Sequence, residues 1–132
     1  MTVKEKQDRS TALHDAGYNC SQSVYLAVGE LSEKEGGIGY CFGGGMQCGS
    51  VCGALTGGLM AIGASLQETD PMKNRPVARK AALELEAAFE KEFGSINCRE
   101  VSVGGKKICA YCITFCVEKT TEIIEKINKG EL

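Results

Sequence analysis

Only two prolines, Pro71 and Pro76, interrupt a 132-residue chain that glycines punctuate into segments of helical periodicity. That punctuation limits the fold more than any other feature, because almost nothing alternates as a half-buried strand does. The expectation is an all-α, single-domain bundle of about five helices over residues 1–132, with a Gly-rich loop between helices 2 and 3. The first helix is predicted from about Val3 to Ala16, with Leu13 and Ala16 inward, His14 near the buried edge and Gly17 as the stop. Asn19 suits the N-cap of a second, from Cys20 to about Leu31. Ser32 to Gly49 is the loop, dense in glycine at Gly36-Gly37 and Gly43-Gly44-Gly45. A third helix from about Ser50 to Leu66 would carry Gly49, Gly53 and Gly57 on one face. An interior glycine costs about 1 kcal/mol relative to alanine, so this spacing predicts a neighbouring helix close against that face. Thr69-Asp70-Pro71 breaks the chain. A fourth helix follows from about Arg75 or Pro76 to Phe93, its stripe made by Val77, Ala78, Ala81, Leu85, Ala88 and Phe89. Ser95 to Lys107 reads as irregular, and a last helix runs from about Ile108 to Asn128.

Charge and hydropathy remove several function classes. Net charge is -2, with lysines and glutamates interleaved, so there is no basic footprint for nucleic acid. The longest apolar stretch, Val51 to Leu66, holds four glycines and is too short for a membrane span. The amino terminus has charge with no apolar run behind it, which points to a cytoplasmic protein. A chain of this length buries a core without covalent staples.

The eight cysteines therefore need a reason other than size. Structural disulfides are rare in the cytoplasm, so the count points to redox or metal chemistry. Cys109, Cys112 and Cys116 fall within one stripe of the last helix, since offsets of three and seven return to nearly the same face. Each could be a small buried hydrophobe, but three together are an unusual choice where alanine or valine would serve. Cys52, one turn inside the predicted third helix, sits where the helix dipole favours a thiolate. Cys48 precedes it on the glycine loop. Cys109-Ala110-Tyr111-Cys112 has the Cys-X-X-Cys spacing of oxidoreductases, although no βαβ pattern supports a thioredoxin fold. No histidine follows it, which excludes a c-type haem, and paired zinc knuckles are absent. Iron–sulfur ligation by scattered thiolates has no such spacing rule and stays open. His14, the one histidine, reads as a packed or surface residue.

Four segments taken together carry a resemblance: Gly17-Tyr18-Asn19-Cys20-Ser21-Gln22-Ser23-Val24, Phe42-Gly43-Gly44-Gly45-Met46, Cys52-Gly53-Ala54-Leu55-Thr56-Gly57 and Asn97-Cys98-Arg99-Glu100. In this order and spacing the chain resembles the C-GCAxxG-C-C family of small redox-active proteins over nearly its whole length. The resemblance implies that the family's signature cysteines fall on Cys20, Cys52, Cys98 and one residue of the last helix. Cys109, Cys112 and Cys116 all compete for that fourth position, and Cys112 is taken. A haem-bearing relative of the split-Soret type is similar in its helical domain, which implies a [2Fe–2S] or related cluster held by such cysteines. Cys41, Cys48, Cys109 and Cys116 are thiols beyond the signature.

Two functions follow from these residues. In the first, Cys20, Cys52, Cys98 and Cys112 converge at one end of a helical bundle and act catalytically, as a thiol–disulfide oxidoreductase or in electron transfer with a redox partner. Cys52 is then the attacking thiolate, a second cysteine resolves, and amides of the glycine loop face the sulfurs. In the second, non-enzymatic reading, the same four residues hold an iron–sulfur cluster or zinc. A helix faced with glycine can also pair between two copies, so a homodimer stays open.

Overall fold

The computed structural model describes all 132 residues and is all-α. Six α-helices form: α1 (Val3–Asp15), α2 (Cys20–Gly29), α3 (Gly53–Ser65), α4 (Pro71–Phe93), α5 (Cys98–Val101) and α6 (Lys106–Asn128). There are thus more helices than the five or so expected, because two stretches read as loop are ordered. Glu33–Phe42 winds as a 3₁₀ helix. Within the segment read as irregular, α5 is followed by a 3₁₀ turn at Ser102–Gly104. No strand forms, but one isolated antiparallel bridge joins Val51 to Asn97. No helix is long and apolar enough to cross a membrane.

Local chemistry sets most helix starts. Thr2 and Glu5 form a capping box at α1, with the Glu5 amide donating to Thr2 Oγ1 at 3.1 Å and the Thr2 amide to Glu5 Oε1 at 2.9 Å. Asn19 and Gln22 repeat it at α2, at 2.9 and 3.0 Å. Buried Gln22 then donates to the Gly36 carbonyl at 3.0 Å, and the Asn19 amide donates to the carbonyls of Gly39 at 3.1 Å and Tyr40 at 3.2 Å. The same two side chains that begin α2 therefore hold the 3₁₀ segment against it.

The fourth helix corrects the expectation at its start. It begins at Pro71, with Asp70 as N-cap accepting from the Met72 amide at 2.9 Å, and continues through Pro76. A proline at the first helical position loses no bond the helix needs, so Asp70-Pro71 is a start signal and not a break. Pro76 removes one later bond, which the rest of a 23-residue helix tolerates.

The core gathers where α2, α3 and α6 pack, with α1 laid across α2 and α6 and α4 closing the side of α3 and α6. Leu26, Leu55, Leu85, Phe89, Ile113 and Val117 are wholly buried there. The glycine face of α3 makes the tightest contact. A Cβ on Gly57 would lie 2.4 Å from the Ser21 carbonyl oxygen, and one on Gly53 would lie 2.9 Å from the Phe42 oxygen and 3.3 Å from Cys20 Cβ. The expected close crossing is thus α3 on the first turn of α2. Gly49 is not part of it: α3 begins at Gly53, and Gly49 lies in the preceding turn with φ +75°.

Candidate functional site

Backbone pairing brings the first two thiols together. The Cys52 amide donates to the Ile96 carbonyl at 2.8 Å, and the Cys98 amide donates to the Ser50 carbonyl at 2.6 Å, one on each side of the Val51–Asn97 bridge. Cys52 is the N-cap of α3 and not a residue one turn inside it. Cys20 enters at the first position of α2, where Gly53 lets the two helices approach. Cys109 and Cys112 come from the first two turns of α6.

Cys20, Cys52, Cys98, Cys109 and Cys112 surround one cavity, together with Gly44, Gly53, Val101 and Ser102. All four sequence-derived site residues are therefore at this place, with Cys109 as a fifth. Cys116 is fully buried behind them and is pushed well above the usual thiol range by burial, then by Cys52 and Cys20. Cys41 and Cys48 are exposed and do not line the cavity. His14 lies in the last turn of α1, also outside it. Cys109, which competed with Cys112 for the fourth position, joins it here because the Cys-X-X-Cys spacing places the two one helical turn apart on the same face.

The sulfurs are not equivalent. The thiol of Cys112 donates toward the sulfur of Cys52, which with the Ala54 and Leu55 amides holds Cys52 down to about 7 against the effect of burial. No ordinary side-chain cap closes α3. The two amides instead face the sulfur from the positive end of the helix. Cys112 shifts the opposite way, upward, first because it is the donor of that bond and then because it is buried. Cys20 is pushed up to about 12 by burial and by the nearby sulfurs of Cys52, Cys109 and Cys98. Cys109 is also raised, by burial and by Cys52 and Cys98. At neutral pH Cys52 is thus the thiolate-forming sulfur, and Cys20, Cys109 and Cys112 stay protonated beside it.

A left-handed turn covers Cys98. Gly44, Gly45, Met46 and Gln47 have φ between +60° and +63° in succession. A Cβ on Gly45 would stand 2.6 Å from Cys98 Cβ. Met46 and Gln47 each bear a backbone cost of about 1–3 kcal/mol in this conformation. It is offset by the Ser50 amide donating to the Gly45 carbonyl at 2.8 Å, Gln47 donating to the Tyr40 carbonyl at 3.2 Å and Arg99 donating to the Cys48 carbonyl at 3.0 Å. The amides that face Cys52 come from α3 and not, as the sequence suggested, from this glycine segment.

Thiolates are suitable donors for zinc or an iron–sulfur cluster. Their arrangement is not: no three Cys, His, Asp or Glu side chains converge in metal-ligating geometry. The cavity they surround is about 20 Å³, room for about one water molecule. The side chains as placed fit a thiol pair with bystanders better than a ligand cage.

No curated protein and no solved structure matches the chain. A family model does, over residues 18–123, from just before Cys20 to beyond Cys116. With its cysteine-lined cavity inside that match, the chain belongs to the family described as "Putative redox-active protein (C_GCAxxG_C_C)".

Proposed function

We propose that the protein is a cytoplasmic thiol–disulfide oxidoreductase, with Cys52 as nucleophile and Cys112 as its resolving partner. The observation that carries this is that Cys52, at the start of α3, and Cys112 line one cavity, where Cys52 is held down to about 7 and Cys112 is pushed up. A thiolate near ambient pH is the most effective attacking group for exchange. In the first step the Cys52 thiolate attacks a disulfide RSSR, forming Cys52–S–S–R and releasing RS⁻. In the second, Cys112 gives up its proton to the released thiolate and attacks the Cys52 sulfur. A Cys52–Cys112 disulfide forms and the second RS⁻ leaves, taking from water the proton that Cys52 had released, so two protein thiols are oxidised and one RSSR is reduced to two RSH. Cys20 and Cys98 line the cavity. Cys20, protonated at neutral pH, keeps a second negative charge away from the nucleophile. A reducing compartment suits eight free thiols.

The test uses anaerobically purified full-length protein, oxidised glutathione and quantified glutathione release. Cys52→Ser should abolish release, and Cys112→Ser should release one equivalent and retain the other as a mixed disulfide on Cys52. Stoichiometric iron or zinc in the same preparation, with no release from the wild type, would replace this reading with the metal-binding one.

A further inference from the structure

We infer that Cys109 completes the exchange cycle by taking the disulfide from Cys52–Cys112 and leaving it as Cys109–Cys112, with Cys52 freed as thiolate. This rests on the exchange reading above. Three observations about position carry it. Cys109 lines the same cavity as Cys52 and Cys112. It stands three residues before Cys112 within α6, and Cα atoms three apart in a helix are separated by about 5 Å, inside the range a disulfide spans. It is also half-buried, whereas Cys112 is 1 % and Cys52 6 % exposed.

That gradient of exposure poses a problem which Cys109 resolves. A Cys52–Cys112 disulfide would join the two buried sulfurs of the cavity, less open to a reductant than one that includes half-buried Cys109. Attack by Cys109 on the Cys112 sulfur forms the Cys109–Cys112 bond and breaks Cys52–Cys112. The electron pair leaves on Cys52, and the proton of Cys109 passes to water at its exposed side. The number of disulfides is unchanged, so no further oxidant or reductant is consumed. The direction is set by the leaving group: Cys52 caps α3, where the Ala54 and Leu55 amides still stabilise its thiolate once Cys112 is held in a disulfide, and the better-stabilised thiolate leaves faster. The product lies in the first two turns of α6, nearer to solvent, with the nucleophile regenerated.

The wild-type chain alone decides the matter. Anaerobic protein is oxidised with one equivalent of oxidised glutathione, quenched in acid, alkylated and digested with trypsin. Cys109, Cys112 and Cys116 share the peptide Ile108–Lys119, so the expected product is that peptide with an internal Cys109–Cys112 disulfide and alkylated Cys116, and a Cys52 peptide that is alkylated. Cys109→Ser, with Cys109→Ala as a second variant, should instead stop at a peptide cross-linked between Cys52 and Cys112. A stable Cys52–Cys112 cross-link in the wild type, or an internal Cys112–Cys116 bond, overturns the role of Cys109 and leaves the exchange reading standing. Oxidised protein in which neither Cys52 nor Cys112 carries a disulfide overturns both.

Discussion

Cys52 at the start of α3 and Cys112 of α6 line one cavity, and the Cys112 thiol, as proton donor, is the largest influence holding Cys52 down to about 7. Removing the donor should raise the pKa toward that of an ordinary thiol. In a background lacking exposed Cys41 and Cys48, iodoacetamide labelling of Cys52 should rise with pH around a midpoint near 7. Cys112→Ala should move that midpoint up by about one unit or more, which is about a tenfold loss of thiolate at pH 6. An unchanged midpoint would assign the depression to the Ala54 and Leu55 amides alone.

The thiols also give stability a characteristic dependence on pH under reducing conditions. Cys52 is lowered on folding, from 9.0 to about 7, so its contribution is absent below 7 and grows as pH rises toward 9. Cys20 is raised, from 9.0 to about 12, so its contribution is complete below 9 and is lost as pH rises toward 12. Cys112 and Cys116 shift in the same sense as Cys20. Thermal unfolding should therefore show a gain from pH 7 to about 9 that Cys52→Ala removes, and a decline above 9 that persists in that variant.

Two glycines of α3 should respond oppositely to alanine. Gly57→Ala would push a Cβ to 2.4 Å from the Ser21 carbonyl oxygen, a backbone atom that cannot rotate away. A loss of about 1–3 kcal/mol or more is expected. Gly63→Ala meets nothing within 4 Å and should gain about 0.5–1 kcal/mol from helix propensity. Urea titration of both variants checks the sign of each.

Asn19 is expected to resist its closest replacement. Asn19→Ala removes the cap of α2 and both donors to the Gly39 and Tyr40 carbonyls. Asn19→Asp keeps the cap but turns a carboxylate oxygen toward those two carbonyls. Both variants should lose about 1–3 kcal/mol, with Asp no better than Ala. If capping alone mattered, Asp would be near neutral in the same urea titration.

The positions of the helices were legible because their caps and stripes are local. Asn19 and the apolar stripe of α4 do in the structure what their residue types suggest. The start of α4 was misread because Asp70-Pro71 both ends one run and begins another, and Pro76 drew the boundary to itself. The 3₁₀ segment was not legible, since it is held by Gln22 and Asn19 from another helix. At the site, the family resemblance picked out Cys20, Cys52, Cys98 and Cys112 as a group, and all four line one cavity. The order of their acidities depends on which sulfur faces which amide. Spacing alone does not contain that order.

The bridge between Val51 and Asn97 has a consequence for how this site can vary. Cys52 and Cys98 are 46 positions apart in the chain, yet their relative placement is set by main-chain atoms, through amides and carbonyls that every non-proline residue supplies. The side chains at 51 and 97 can therefore drift without moving the sulfurs. Proline at Cys98's or Cys52's own position is the substitution this scaffold cannot absorb. Two sulfurs thus keep their spacing while the side chains at 51 and 97 are free to change.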